Sequence, residues 1–421
     1  MSNKQLVLPV KGTRDFYPED WAFETWLYEK VKEVSELFGF QEYEGPTLES
    51  LELYVAKSGE ELVKKQSFTL TDQAGNILAL RPEMTPTLAR MIAQKSPELT
   101  FPVKWFCFGR RFRYEQPQKG RAREFFQWDA DILGSENPQS DAEIISLAST
   151  FCQKVGLTPE EIKIKINDRQ LLEKKFLSLG IDQNDIVKAF RLADKKGKME
   201  AKEFSQTAKE SGFSEDQAKA ILQILEEKNS FLDSPSLLEV FELLKRYGVA
   251  EYVEFDPGVV RGLEYYTGIV SEGWDTKGEF RAIFGGGRYD NLTVAVGGKQ
   301  KIPGVGFALG DMVIAEVLKA NNKYPILPFN KTKVLVTVFS PKFVKESIQL
   351  AATLRNNRIN TELYFDSNAK LDKQIKYADR KKIPYVAIIG PDEVKRSSVT
   401  LKDLNTQSQK TLSLSELIKE L

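Results

Sequence analysis

Histidine is absent from this 421-residue sequence. With it go Ser/His/Asp triads, Cys/His dyads, histidine-ligated zinc and histidine general bases, so any chemistry must run on arginine, carboxylates, tyrosine and the backbone. Those groups suit reactions governed by positioning and charge stabilisation, transfer at phosphorus above all. Cysteine is scarce too. Cys107 and Cys152 make neither a disulfide framework nor a thiolate cluster of zinc spacing, and both read as small buried hydrophobes in a reducing compartment. No apolar run reaches the length of a membrane span, and residues 1–10 are too short and polar for a secretory signal, so the cytosol is the expected location. There is no Gly-x-x-x-x-Gly-Lys-Ser/Thr loop. Gly304-x-Gly306-x-x-x-Gly310 has the wrong spacing for a dinucleotide fingerprint.

What is present is an ordinary globular composition, 41% hydrophobic and 29% charged, long enough for two or three cores. Lysine plus arginine balance aspartate plus glutamate at 60 each. The balance is uneven along the chain: residues 331–421 hold 17 Lys/Arg against 10 Asp/Glu, leaving the rest acidic. A basic module on an acidic body attracts polyanions, although a solvated lysine-rich surface gives the same count.

After Pro18, Glu19 and Asp20, the apolar residues Phe23, Leu27, Val31, Val34 and Phe38 recur at helical spacing until Gly39. Residues 67–71, 77–80, 105–115 and 124–133 are rich in aromatic and β-branched side chains and predict strands. The last two flank residues 116–123, the loop of a long antiparallel hairpin. Residues 171–247 turn Lys/Glu-rich and helical, with a capping-box pattern at Ser214 and Gln217. This is a helical insertion that splits the sheet, whose strands resume at Val253 and run to Gly310 before a helix over 312–318. The linker around 324–330, with Pro325 and Pro328, leads into alternating strands and helices that predict a small α/β domain.

Four stretches carry candidate chemistry. In Phe112-Arg113-Tyr114-Glu115 strand alternation would set Arg113 and Glu115 on one face, as a site or as a surface ion pair. Lys119, Arg121 and Arg123 lie on the following loop, within reach of phosphates or simply solvated. Arg261-Gly262-Leu263-Glu264-Tyr265-Tyr266-Thr267-Gly268 interleaves charge with phenols that are costly to bury unpaired. Phe284-Gly285-Gly286-Gly287-Arg288-Tyr289-Asp290 offers close backbone approach to a ligand, or a bulge.

Taken in order, these segments resemble the class II aminoacyl-tRNA synthetases, and specifically the histidyl-tRNA synthetase family, over nearly the whole chain. Lys11-Gly12-Thr13-Arg14-Asp15 resembles the family's opening signature, and the first helix with Pro46 its dimer-forming motif 1. Leu80-Arg81-Pro82-Glu83-Met84-Thr85 is similar to the amino-acid-binding stretch, and residues 112–127 to motif 2. Residues 261–268 and 285–290 resemble the two signatures particular to this family. Lys373-Gln374-Ile375-Lys376-Tyr377-Ala378 lies in what resembles the anticodon-binding module.

The resemblance implies an α+β class II catalytic domain over residues 1–325, an antiparallel sheet with flanking helices and the helical insertion, followed by an α/β anticodon-binding domain over 331–421. It implies a homodimer that activates histidine with ATP and charges tRNA(His) through the motif 2 loop and the C-terminal domain, with magnesium accompanying ATP and no zinc. By the same resemblance Glu83, Thr85 and Gln127 would hold the substrate's α-amino group, and Tyr265, Tyr266 and Asp131 would face the imidazole side. Arg113 and Arg261 would contact the α-phosphate as the catalytic residues, Glu115 would help seat adenine, and Arg121 would reach the outer phosphates.

The chain departs from the family pattern where motif 3 usually ends in Glu-Arg, its arginine stacking on adenine: Gly310-Asp311-Met312 stands there. Asp131 replaces a frequent glutamate, and Phe126 and Asp168 occupy positions that often hold histidine. The alternative is a non-catalytic, synthetase-like regulatory subunit of histidine biosynthesis. Such paralogues commonly lose catalytic residues and the anticodon domain, whereas Arg113, Arg261 and a complete basic C-terminal module are kept here. A pure RNA-binding module on this fold would not need Glu83, Gln127 and Tyr266 together.

The resemblance also gives the missing histidines a consequence: such an enzyme can be translated while charged histidyl-tRNA is scarce. Pulse-labelling under histidine starvation should show its synthesis persisting, and falling once a few histidine codons are inserted; an unchanged rate refutes the idea.

Overall fold

The computed structural model describes residues 7–58, 66–118, 120–196, 199–261 and 265–421. The chain divides into two compact units, one of Met1–Asp15 with Glu24–Pro325 and one of Phe16–Phe23 with Ile326–Leu421. Nothing in the sequence pattern signals that Phe16–Phe23 groups with the second unit.

Helix α1 (Pro18–Leu37), most of which belongs to the first unit, opens with acidic residues in its first turn, where they complement the helix dipole. It buries Leu27, Val31 and Val34 completely and is followed by Gly39 in the left-handed region, φ 76°, as helix ends favour. The main sheet has eight strands: β1 (Gln41–Glu42), β2 (Val103–Phe112), β3 (Glu124–Leu133), β4 (Ile162–Asp168), β5 (Val253–Phe255), β6 (Ile269–Asp275), β7 (Phe284–Tyr289) and β8 (Gly304–Gly310). Their order is β1-β2-β3-β8-β7-β6-β4-β5. The six central strands are antiparallel, but the edge pairs β1–β2 and β4–β5 are parallel, a departure from a wholly antiparallel sheet.

Strands β2 and β3 pair from Val103↔Leu133 to Phe112↔Glu124. Almost all of β3 is buried, and the helix Pro138–Lys154, capped by the Asn137 side chain on Gln139 N at 2.9 Å, lies against it. The helices of the insertion start at Arg169 and end at Arg246. They enclose a core of their own around Leu172, Phe176, Phe190, Phe204 and Ile221, which also takes in Val260. The Ser214–Gln217 capping box forms in both directions.

The second unit carries a five-stranded sheet. Its strands Thr361–Leu363, Val334–Val336 and Tyr385–Ile388 are parallel, and Ser398–Asp403 and Gln409–Ser413 are added antiparallel. Those last two strands were not anticipated. No helix among the described residues is long and apolar enough to cross a membrane.

One buried ion pair ties the sheet to its covering helix. Arg288 on β7 donates to Asp141 at 3.1 and 2.5 Å, to Ser135 O at 2.8 Å and to Ser140 Oγ at 2.9 Å. Burial pushes the Asp141 carboxyl up to about 6 against the pull of Arg288. Arg288→Leu strands that carboxylate and should cost about 3–5 kcal/mol, read as a fall in the urea midpoint. The double variant Arg288→Leu/Asp141→Leu should recover much of the loss; a single variant as stable as wild type would refute the assignment.

Candidate active site

A cavity of about 730 Å³ opens on the face of β3, β8, β7 and β6. Glu83, Thr85, Arg113, Glu115, Arg121, Gln127, Asp131, Arg261, Tyr265 and Tyr266 all line it. The histidine- and ATP-binding residues expected from the resemblance thus meet in one space, although they come from segments as far apart as 83 and 266, whereas Arg123 of the hairpin loop does not line it and lies 4.2 Å over Tyr114. Gly262, Leu263 and Glu264 of the tyrosine-bearing signature and Lys119 of the hairpin loop lie outside the described residues.

At one end, Glu83 and Thr85 sit where the chain enters the helix Thr85–Lys95. Arg81, buried beside them, ties this segment to Gly45 O at 2.8 Å and to Arg110 O at 3.0 Å. Gln127 on β3 is buried, and its Oε1 has no hydrogen-bond partner. A buried acceptor left unsatisfied is costly unless a ligand donor completes it. Asp131, four residues along the same strand, accepts from Tyr289 Oη at 2.6 Å. This carboxylate needs a glycine opposite: a Cβ on Gly306 would lie 1.9 Å from Asp131 Oδ1. Burial first, and then Asp131, push the Tyr289 phenol well above its ordinary range, so it stays an O–H donor. Burial first, and then Tyr266 and Glu83, raise Tyr265 well above its ordinary range too, and its ring packs 4.4 Å from that of Tyr266.

Two arginines face the middle of the cavity. Arg113 lies just beyond the end of β2, so alternation along a strand does not set its direction. Instead Glu115 N donates to Arg113 O at 2.7 Å in a tight turn, Arg113 Nε donates to Pro82 O at 3.0 Å, and its guanidinium lies 5.1 Å over Phe125. The carboxylate of Glu115 pairs with Arg121 at 2.8 Å, across the loop. Arg261 has φ 54°, a left-handed conformation unfavourable for a residue with a side chain. The surroundings hold it there: Arg169 donates to the carbonyls of Val260 and Arg261 at 3.1 and 2.9 Å, and Asn167 donates to Val259 O at 3.0 Å. Its Nη1 reaches Glu272 at 3.0 Å. A Cβ on Gly285 would come within 2.2 Å of that nitrogen, so the triple-glycine strand makes room for the arginine and is not a bulge.

Sequence reasoning missed Glu272, Tyr289, Arg281 and the role of Asp311. Glu272 gives a faint signal, a carboxylate on the same strand face as Val270 and Trp274. At the departure from motif 3, Asp311 begins the helix Asp311–Ala320 and is buried. It accepts from Phe126 N at 3.1 Å and from Arg14 at 2.5 Å. The Lys11–Asp15 signature therefore anchors this helix. The two positions that often hold histidine have other work: Phe126 stacks on Phe108 at 5.5 Å beneath Arg110, and Asp168 caps the helix Arg169–Ser178 while accepting from Ser234 at 2.7 Å.

Burial and the adjoining Asp311 carboxylate push Glu24 up to about 9. Its folded pKa thus stands above the unfolded value. The proton's contribution is complete below the ordinary carboxyl range and is lost as pH rises towards about 9, so stability falls across that window. Glu24→Gln keeps an uncharged donor there and should flatten the fall in urea midpoint measured from mildly acidic to mildly alkaline buffer; the same slope in both proteins would refute the assignment.

Comparison with known proteins agrees over the full length. A histidyl-tRNA synthetase family model matches residues 12–312, and an anticodon binding domain model matches 333–421. A histidine–tRNA ligase of Leptospira biflexa is 36% identical, the alignment covering 98% of this chain and 96% of the relative. The chloroplastic/mitochondrial histidine–tRNA ligase of Arabidopsis thaliana is also 36% identical, over 98% of this chain and 86% of its own. The crystal structure of histidyl-tRNA synthetase from Nostoc sp. PCC 7120 superposes with a TM-score of 0.80 at 26% identity, covering 98% of this chain and 99% of that one. With a cavity assembled from those segments and an alignment that runs nearly end to end, this chain belongs to the histidyl-tRNA synthetase family.

Proposed function

We infer that the chain is a ligase that activates histidine with ATP, releasing pyrophosphate, and esterifies the histidyl group onto tRNA(His). The observation that carries this reading is the placement of Arg113 and Arg261 on the same cavity as the unsatisfied Gln127 acceptor. Histidine's ammonium group meets Glu83, Thr85 and Gln127, and its ring lies towards Asp131, Tyr265 and Tyr266. Its carboxylate then points at the α-phosphorus, where Arg113 and Arg261 stabilise the charge that builds on the phosphate oxygens during in-line attack. Glu115 faces adenine and Arg121 the outer phosphates. A terminal ribose hydroxyl of the tRNA next attacks the adenylate carbonyl, and its proton passes to a phosphate oxygen of the departing AMP, since the chain has no histidine to take it.

Magnesium travels with ATP in this reading. Among the described residues no cluster of three acidic, cysteine or histidine side chains could hold a metal alone. Glu272, on the cavity wall, fits an ion held by one carboxylate together with the nucleotide's phosphates. It would supply charge neutralisation on the leaving pyrophosphate.

We take the catalytic domain as residues 1–325 and the anticodon-binding domain as 331–421, with tRNA spanning the motif 2 loop and the latter. The family resemblance supports a cytoplasmic homodimer, whose mass light scattering would report directly. The regulatory-subunit reading is disfavoured because Arg113, Arg261 and the whole C-terminal module are kept.

Histidine-dependent exchange of pyrophosphate into ATP tests the assignment. Wild type should exchange with histidine and not with other amino acids, and Arg261→Ala should lower kcat/KM by about a hundredfold or more, as loss of a charge-stabilising donor does. No exchange from folded wild type would overturn the reading.

A further inference from the structure

The helix Asp311–Ala320 begins Asp-Met-Val-Ile and carries no cation before Lys319, yet its first turn borders the nucleotide end of the cavity through Met312 and Val313. A Cβ on Gly120, at the tip of the hairpin loop, would touch Val313 Cγ2 at 3.5 Å, which places that loop next to the uncharged turn. Across this corner stands an arginine on a different loop. Arg281 lines the same cavity between Phe280 and Ala282.

This loop has a defined shape. The Asp275 carboxylate accepts from Glu279 N at 2.8 Å and from Phe280 N at 3.0 Å, and Ile283 N closes the turn on Gly273 O at 2.7 Å. Arg281 is therefore presented by a backbone pinned on both sides. The charges around it are unbalanced: although Arg281 is largely exposed, partial desolvation at the cavity wall and then Arg121 push its guanidinium down from its ordinary value, and Glu115 only partly opposes them. Glu115 is itself engaged by Arg121 at 2.8 Å. Two guanidiniums on separate loops that disfavour one another around one occupied carboxylate form a seat for an anion carrying more than one negative charge.

We propose that Arg281, on the loop after β6, is a substrate-binding residue for the outer phosphates of ATP, acting opposite Arg121. The proposal rests on the activation reading above and adds the residue that grips the leaving pyrophosphate. Planar guanidinium forks suit this task because each can engage two phosphate oxygens.

Pyrophosphate exchange by the intact protein, comparing wild type, Arg281→Gln and Arg281→Lys, tests it, with AMP as a competing probe. In Arg281→Gln the KM values for ATP and pyrophosphate should rise about ten- to a hundredfold, the loss of one charge-assisted contact. KM for histidine, inhibition by AMP and single-turnover transfer from preformed histidyl-adenylate to tRNA should stay as in wild type, and Arg281→Lys should recover part of the ATP affinity. Unchanged KM for ATP in Arg281→Gln overturns the proposal. So does an equal loss of AMP binding, which would put Arg281 on the nucleoside. If wild type itself gives no exchange, the activation reading fails first and this proposal with it, whereas normal exchange in both proteins sinks only the role of Arg281.

Discussion

A guanidinium turned away from bulk water must have a partner and a space made to its shape, and the placement of Arg261 depends on both. Its Nη1 meets Glu272, the space is the missing side chain of Gly285, and its left-handed backbone is held from behind by Arg169. Strain of order 1–3 kcal/mol persists in a fold only where the surroundings over-determine it. The surroundings here are the sheet, the glycine strand and the base of the helical insertion acting together. The same logic recurs at Asp131, which fits only because Gly306 has no Cβ. Glycines on β7 and β8 are thus the spaces into which the site's charged groups fold.

Much of this was legible in the sequence because it is encoded locally. The first helix showed its buried stripe at Leu27, Val31 and Val34, the long hairpin its β-branched and aromatic runs, and Ser214–Gln217 its capping box. The candidate site residues were proposed through resemblance, since Glu83, Gln127 and Tyr266 are unremarkable one by one and share a cavity only once the chain is folded. What was not legible is equally specific. Arg113 and Glu115 leave the strand before alternation can orient them. Asp311 reads as an ordinary first-turn acid until Arg14, almost 300 residues away, is brought to it. The strand Gln409–Ser413 is polar and mostly exposed, and the apolar residues that Ser398–Asp403 buries are only the short alternation of Val399 and Leu401, too brief a pattern to stand out in the sequence.

Doing without histidine also rearranges the neighbourhood of the site. Phe126 takes up a stacking role between Phe108 and Arg110, and Asp168 satisfies backbone donors at a helix start. The buried pair Arg111–Asp129, at 2.7 Å, underlies the cavity floor. Cys107, whose thiol burial pushes up to about 12, accepts from Arg111 at 3.1 Å and stays neutral there.

The contact between Arg169 and the Arg261 carbonyl makes the helical insertion more than a surface ornament. Arg169 lies 3.9 Å over the ring of Phe190, deep in the insertion's own core. A small molecule that wedged itself beneath Phe190 would pull the support from Arg261 without entering the cavity. Because Arg261 is the proposed contact to the α-phosphate, ATP and such a molecule would oppose one another across a distance, and its selectivity would follow the packing of the insertion, not the reaction chemistry at the cavity.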